Sequence, residues 1–268
     1  MPSATARVPS TSSKLSPLSF NPSGIGFRGE FLDFERGIRV GNLEENERIT
    51  RILKLALESR YRQEFVTERW GRGVFWQWIG FLHRANRAAK PISHDVSFGC
   101  SKFFLMVDTE EKLFKCGLQV ERGYLKAPRE YRACELKQDW DWQRLLQGLR
   151  VKRVPSTSSG LRKATGATPI PPIERQLKRL LREGFWIHAG SWEESPARFN
   201  KENFPGARAL RRVLAQAPAR RWCGFQVYYA MGPEEVRGTD GVELVEAMLA
   251  VFEEVRPLLN LCAQVPLE

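Results

Sequence analysis

The sequence predicts an α+β fold: a central mixed or mainly antiparallel sheet flanked by helices, with a disordered N-terminal tail and a long flexible internal linker. Three observations predict it. Apolar residues make up 42% and charged residues 27% of the 268, the balance of an ordinary globular chain with its own core. Apolar side chains recur at helical spacing in some segments and in short runs in others. Pro/Ser/Thr-rich sequence fills residues 1–24 and 151–172, too little apolar surface to offset the entropy of ordering. The heptapeptide RVPSTSS stands at Arg7–Ser13 and again at Arg153–Ser159. An address signal has no reason to recur within a chain, so both stretches read as low-complexity sequence. The chain then divides into an α+β part at 25–150 and an α/β part at 173–268, with strands expected to share one sheet.

Asn42 with Glu45 reads as a capping box for a first helix, whose stripe is Ile49, Ile52, Leu53, Ala56, Leu57, Tyr61 and Phe65. Phe75, Trp78, Ile79 and Leu82 suggest a second helix ending before Pro91. From Ser97 to Val107 and Lys112 to Tyr124 the chain is rich in Phe, Val, Leu and Cys, and Asp108–Glu111 supplies the polar reversal of a hairpin. Asp139 is expected to cap a helix with Trp142, Leu145, Leu146 and Leu149 on its core face. The second part alternates: a helix opening after Pro171 and Pro172, a strand near Phe185–Ala189, a helix from Gly206 to Ala217, a strand from Cys223 to Met231, and a last helix from Gly241 to Leu259. Asp240 and Glu243 read as the capping box of that last helix. Cys116–Val120 (CGLQV) and Cys223–Val227 (CGFQV) echo one another. They read either as coincidence between buried strands or as an old duplication. Gly117 and Gly224 within those strands point to bulges or close backbone approach.

Several function classes find no support. Cys100, Cys116, Cys134, Cys223 and Cys262 are odd in number, with no C-x-x-C pair, which argues against a disulfide scaffold or a zinc site. No apolar run approaches the roughly 20 residues of a membrane span, so an intracellular chain, cytoplasmic or nuclear, with no membrane partner is expected. Gly24, Gly26 and Gly29 match G-x-G-x-x-G, but no strand precedes them and no clear helix opens from them. His83, His94 and His188 include no helical i, i+4 zinc pair. His94–Asp95 could orient a general base, yet a solvated loop histidine accounts for it as well. There is no G-x-S-x-G elbow.

Charge carries the functional expectation. The net charge is +11, and residues 151–222 hold 15 Lys/Arg against five Asp/Glu, whereas 231–268 hold two Arg against eight acids. On the helix after Pro172, Arg175, Lys178, Arg179 and Arg182 share one face; on the next, Arg208, Arg211 and Arg212 do so, followed by Arg220 and Arg221. With Lys152, Arg153, Arg162 and Lys163 of the linker, these stripes are expected to bind nucleic acid without sequence preference by displacing its counterions. The plainer reading is a solvated helix face, or arginines paired with Glu243, Glu246, Glu253 and Glu254 of the last helix. A third makes the chain a scaffold or regulator that binds an acidic protein partner through the same arginines. Trp70, Trp76 and Trp78, among Arg69, Arg72 and Arg84, are either stacking platforms or core. The enzyme-class rival is a magnesium-dependent nuclease using Asp108, Glu121, Glu135 and Lys137. Acids at hairpin ends and E-x-K triplets are also common in charged proteins, and no other cofactor is expected.

Overall fold

Period-two runs of apolar and aromatic residues build one antiparallel sheet. The computed structural model describes residues 24–90, 92–93, 96–97, 100–123, 137–150, 172–192, 194–218 and 221–268. All of the expected tail but Gly24, and all of the expected linker but Pro172, lie outside them. From the first part come β1 (Leu32–Asp33), β2 (Gly37–Arg39), β3 (Phe65–Arg72), β4 (Phe75–His83), β5 (Ile92–Ser93), β6 (Val96–Ser97), β7 (Ser101–Asp108) and β8 (Leu113–Gly123). The second part supplies β9 (Trp186–Ser191), β10 (Ala197–Phe199) and β11 (Cys223–Met231). Nine of these strands form a sheet ordered β1-β2-β4-β7-β8-β11-β9-β10, with β3 paired to β4; β5 and β6 pair with each other. The described helices are α1 (Ile49–Tyr61), α2 (Arg84–Ala88), α3 (Asp141–Gly148), α4 (Pro172–Arg182), α5 (Ala207–Gln216), α6 (Pro233–Arg237) and α7 (Gly241–Cys262). Among the described residues no helix is long and apolar enough to cross a membrane.

One face of the sheet is the core. Phe103, Leu105 and Val107 of β7, Phe114, Cys116, Leu118 and Val120 of β8, and Phe225 and Val227 of β11 are all buried there. Along the middle of this face lies α7, its Phe252 ring stacked on Phe103 with centroids 4.7 Å apart. The buried faces of α1, α3, α4 and α5 close the same cluster. Asp240 caps α7 by accepting from the amides of Val242 (2.7 Å) and Glu243 (2.9 Å), as its position before the apolar run predicts.

The β7–β8 hairpin forms where the sequence places it. Asp108 Oδ1 accepts from Glu110 N and Glu111 N to close the turn. At the centre of the sheet the two echoing pentapeptides lie side by side, Gln119 opposite Gln226, and Gln226 Nε2 donates to Gln119 Oε1 at 2.6 Å. Both echoed glycines sit at close approaches. A Cβ on Gly117 would strike the Val227 carbonyl, and one on Gly224, at a register shift in the β8–β11 pairing, would strike the Trp192 ring.

Four local expectations are corrected. The Phe75–Leu82 segment is a strand, β4, paired with β3 around a turn in which Gly73 has φ +60°, and only Arg84–Ala88 is helical. The four-residue spacings, Phe75 to Ile79 and Trp78 to Leu82, place residues on one face of a helix or of a strand alike, and strand pairing decides between them. Phe65 belongs to β3, because Arg62 at φ 50° ends α1. Asn42 lies seven residues before α1 at φ 53°, and the residue flanking that helix is Arg48, with no side-chain cap. Asp139 accepts from Gln264 Nε2 (2.8 Å), while Trp140 precedes α3 without a side-chain cap.

Candidate nucleic-acid interface

The proline pair opens α4, and its spacing divides the helix into two faces. Ile173, Leu177, Leu180 and Leu181 are buried in the core, so the cations must lie on the flanks and outer side. Position on the wheel then separates them. Arg179 turns toward α7, where it bonds the Glu254 carboxylate and the Glu254 carbonyl (2.8 Å), and it also meets Glu183 at 3.1 Å. Arg175, Lys178 and Arg182 are exposed on the other flank, with Lys178 held by Glu174 at 2.7 Å.

That flank faces a tight turn after β10. Asn200 Oδ1 accepts from Glu202 N (2.9 Å) and Asn203 N (3.1 Å), Asn203 Oδ1 accepts from Asn200 N (2.7 Å), and Phe204 N donates to Asn200 O (3.1 Å). The turn carries exposed Lys201 and the half-buried Phe204, whose ring packs against the core and lies 6.3 Å from Phe199 at an interplanar angle of 75°. Between helix and turn lies an open groove of about 400 Å³ lined by Arg175, Lys178, Leu181, Arg182, Lys201 and Phe204. Arg175, Arg182 and Lys201 have no ion-pair partner among the described residues.

The remaining cations of the expected interface disperse. Arg208 and Arg212 are exposed on α5 and do not line the groove. Arg211 donates to the Leu146 carbonyl of α3 at 3.1 Å, Arg221 pairs with Glu194 at 2.9 Å, and Arg220 lies outside the described residues. Of the four glutamates expected to neutralise the basic helices, Glu254 takes Arg179, and Glu253 instead serves Arg60 (3.0 Å) and Arg256 (3.4 Å). Lys201 and Phe204 had no signal in the sequence, because the turn KENF has no period and only folding sets it against α4. Trp70 is 65% exposed on the edge strand β3, Trp76 lies beneath the Arg69 guanidinium at 4.5 Å, and Trp78 donates to Gln119 Oε1 at 3.1 Å.

Asp108 and Glu121, weighed for metal chemistry, lie on the sheet face opposite the core. Asp108 ends β7 and Glu121 lies beside the start of that strand, roughly seven residues or about 24 Å away along the sheet. Each is held by a buried lysine: Lys115 meets Asp108 and Glu111, both at 2.7 Å, and Lys102 meets Glu68 (2.8 Å) and Glu121 (2.9 Å). An arginine completes each set, Arg198 on Glu111 and Arg87 on Glu68 (3.4 Å). Each set thus pairs two carboxylates with two cations. Burial works against the Lys102 charge, yet Glu121 and Glu68 outweigh it and raise its pKa. Glu135 lies outside the described residues and Lys137 is exposed. Among the described residues no three His, Cys, Asp or Glu side chains are grouped to hold a metal ion.

Two other sequence features resolve locally. His188 is buried on β9, where Nε2 accepts from Arg198 Nε (2.8 Å) and lies 2.6 Å from the Tyr228 hydroxyl. Burial, with Lys115 nearby, pushes its pKa down to about 4, so the ring is neutral at pH 7. His94 and Asp95 lie outside the described residues. Gly29 opens only a three-residue turn of 3₁₀ helix, and a Cβ there would strike the Val236 carbonyl. The chain matches no protein-family model, no curated protein and no solved structure.

Proposed function

We propose that this chain binds nucleic acid without sequence preference through the groove between α4 and the 200–204 turn. The observation that carries the reading is the convergence of Arg175, Lys178, Arg182 and Lys201 on one concavity. Four cations held around one opening attract phosphates and release condensed counterions. Guanidinium and ammonium contacts to phosphate position a strand without reading its bases. The buried sheet-face lysines are neutralised in pairs, whereas the groove gathers four exposed cations around one opening, three of them without an ion-pair partner among the described residues.

The test is fluorescence anisotropy with labelled 20-nucleotide DNA and RNA of several sequences, at 50 and 200 mM salt. Affinity is expected to fall steeply between the two salts and to vary little with sequence. Arg175→Ala, Arg182→Ala and Lys201→Ala should each weaken binding uniformly across sequences and reduce the salt slope by about 1. Absence of binding at 50 mM salt, or binding indifferent to salt, overturns the reading; salt-indifferent capture of an acidic polypeptide in its place favours a protein partner.

A further inference from the structure

Resting on that reading, we infer that the occupant of the groove is a single strand, with one base laid against Phe204 and its flanking phosphates on the surrounding cations. The lining is not uniformly charged. Two of its six residues, Leu181 and Phe204, are apolar, and they sit among four cations. A duplex offers phosphates and sugars on a convex outer surface, with its bases stacked inside, so it meets cations on the rim and leaves an apolar floor without a partner. Unpaired bases, by contrast, have exposed faces that stack on aromatic rings, and the combination of a cationic groove with an aromatic platform is the general solution for single strands.

Shape points the same way. A helix that reads duplex DNA must project far enough to enter a major groove about 12 Å wide, whereas the basic flank of α4 forms one wall of a concavity whose other wall is the 200–204 turn. Arg175 and Arg182 are seven residues apart on α4, about 10.5 Å, the length of roughly three nucleotides stacked at 3.4 Å each. The platform is also fixed in advance. The Asn200–Asn203 hydrogen bonds hold the turn, and the Phe199 ring, 6.3 Å away and at 75° to Phe204, packs against it, so little freedom is lost when a base stacks.

Three probes of equal length decide the matter: a labelled single strand, the same sequence in a hairpin duplex, and a strand whose central nucleotides are abasic. The intact strand should bind the wild-type chain at least tenfold tighter than the other two. Phe204→Leu keeps an apolar side chain against Phe199 and the core but removes the aromatic face; it should cost roughly tenfold on the intact strand, leave the salt slope unchanged and still melt cooperatively as a folded chain. Equal affinity for all three probes overturns the single-strand proposal while leaving the phosphate reading intact. Failure of every probe to bind at low salt removes both. The comparison of probes on the wild-type chain needs no variant, so a Phe204 variant that fails to fold does not block the decision.

Discussion

At Asp141 groups from four separate parts of the chain converge. Fully buried at the start of α3, it accepts from Lys90 Nζ (3.0 Å), Asn86 Nδ2 (2.9 Å), Ser101 N and Gln264 N (2.6 Å). Removing it leaves the buried Lys90 ammonium with only the neutral Asn86 oxygens and no counter-charge, and takes the acceptor from the Ser101 and Gln264 amides; breaking one side of a buried ion pair typically costs about 3–5 kcal/mol. Asp141→Ala should therefore lower the urea midpoint by that equivalent, whereas Asp139→Ala, two residues away at the surface, should change it little. His188 offers a second test. Its folded pKa of about 4 lies below the unfolded value of 6.5, so between those limits the unfolded chain binds more protons and stability rises with pH. The contribution is lost as pH falls from 6.5 toward 4, up to roughly 3 kcal/mol for a shift of that size. Chemical denaturation from pH 4 to 7 should show a steeper pH dependence for the wild type than for His188→Gln, and parallel curves would refute the assignment.

Helix α4 shows what periodicity conveys and what it omits. The wheel correctly separates Ile173, Leu177, Leu180 and Leu181 from the basic side, because burial of an apolar stripe is dictated by spacing alone. It cannot distinguish Arg179 from Arg175, since which flank faces α7 depends on where α7 lies. The two should therefore behave oppositely on substitution. Arg179→Ala should lower stability by about 1 kcal/mol, through the Glu254 contacts, with oligonucleotide affinity unchanged; Arg175→Ala should reduce affinity at unchanged melting temperature. If both substitutions lowered affinity alike, the binding surface would be a cationic face extending beyond the groove and not the groove alone. The β3–β4 hairpin carries a related lesson. WGRGVFWQW holds aromatic residues that fit either period, and Gly71 and Gly73, both at positive φ, mark the turn region that the helical reading overlooked.

At the scale of the molecule, the charge excess of residues 151–222 was plain from counting, and so was the acidic closing segment. Counting cannot say which charges meet. Folding consumes Arg179, Arg211 and Arg221 in internal or surface contacts, places Arg208 and Arg212 apart from the groove, and brings in Lys201 from a turn with no sequence signature. The sheet-face acids illustrate the same point: Asp108 and Glu121, two members of the four-residue nuclease set, are separated by the length of β7 and given to different lysines. By itself the sequence determined the α+β class, the β7–β8 hairpin, the five elements from α4 to α7 that periodicity marks, and the Asp240 cap, all of which rest on interactions within a few residues. Only the tertiary structure decided strand against helix at Phe75–His83, the pairing of Gln119 with Gln226, and the membership of the groove. Those depend on contacts between segments far apart in the chain, whose geometry is set by how the sheet and its helices pack.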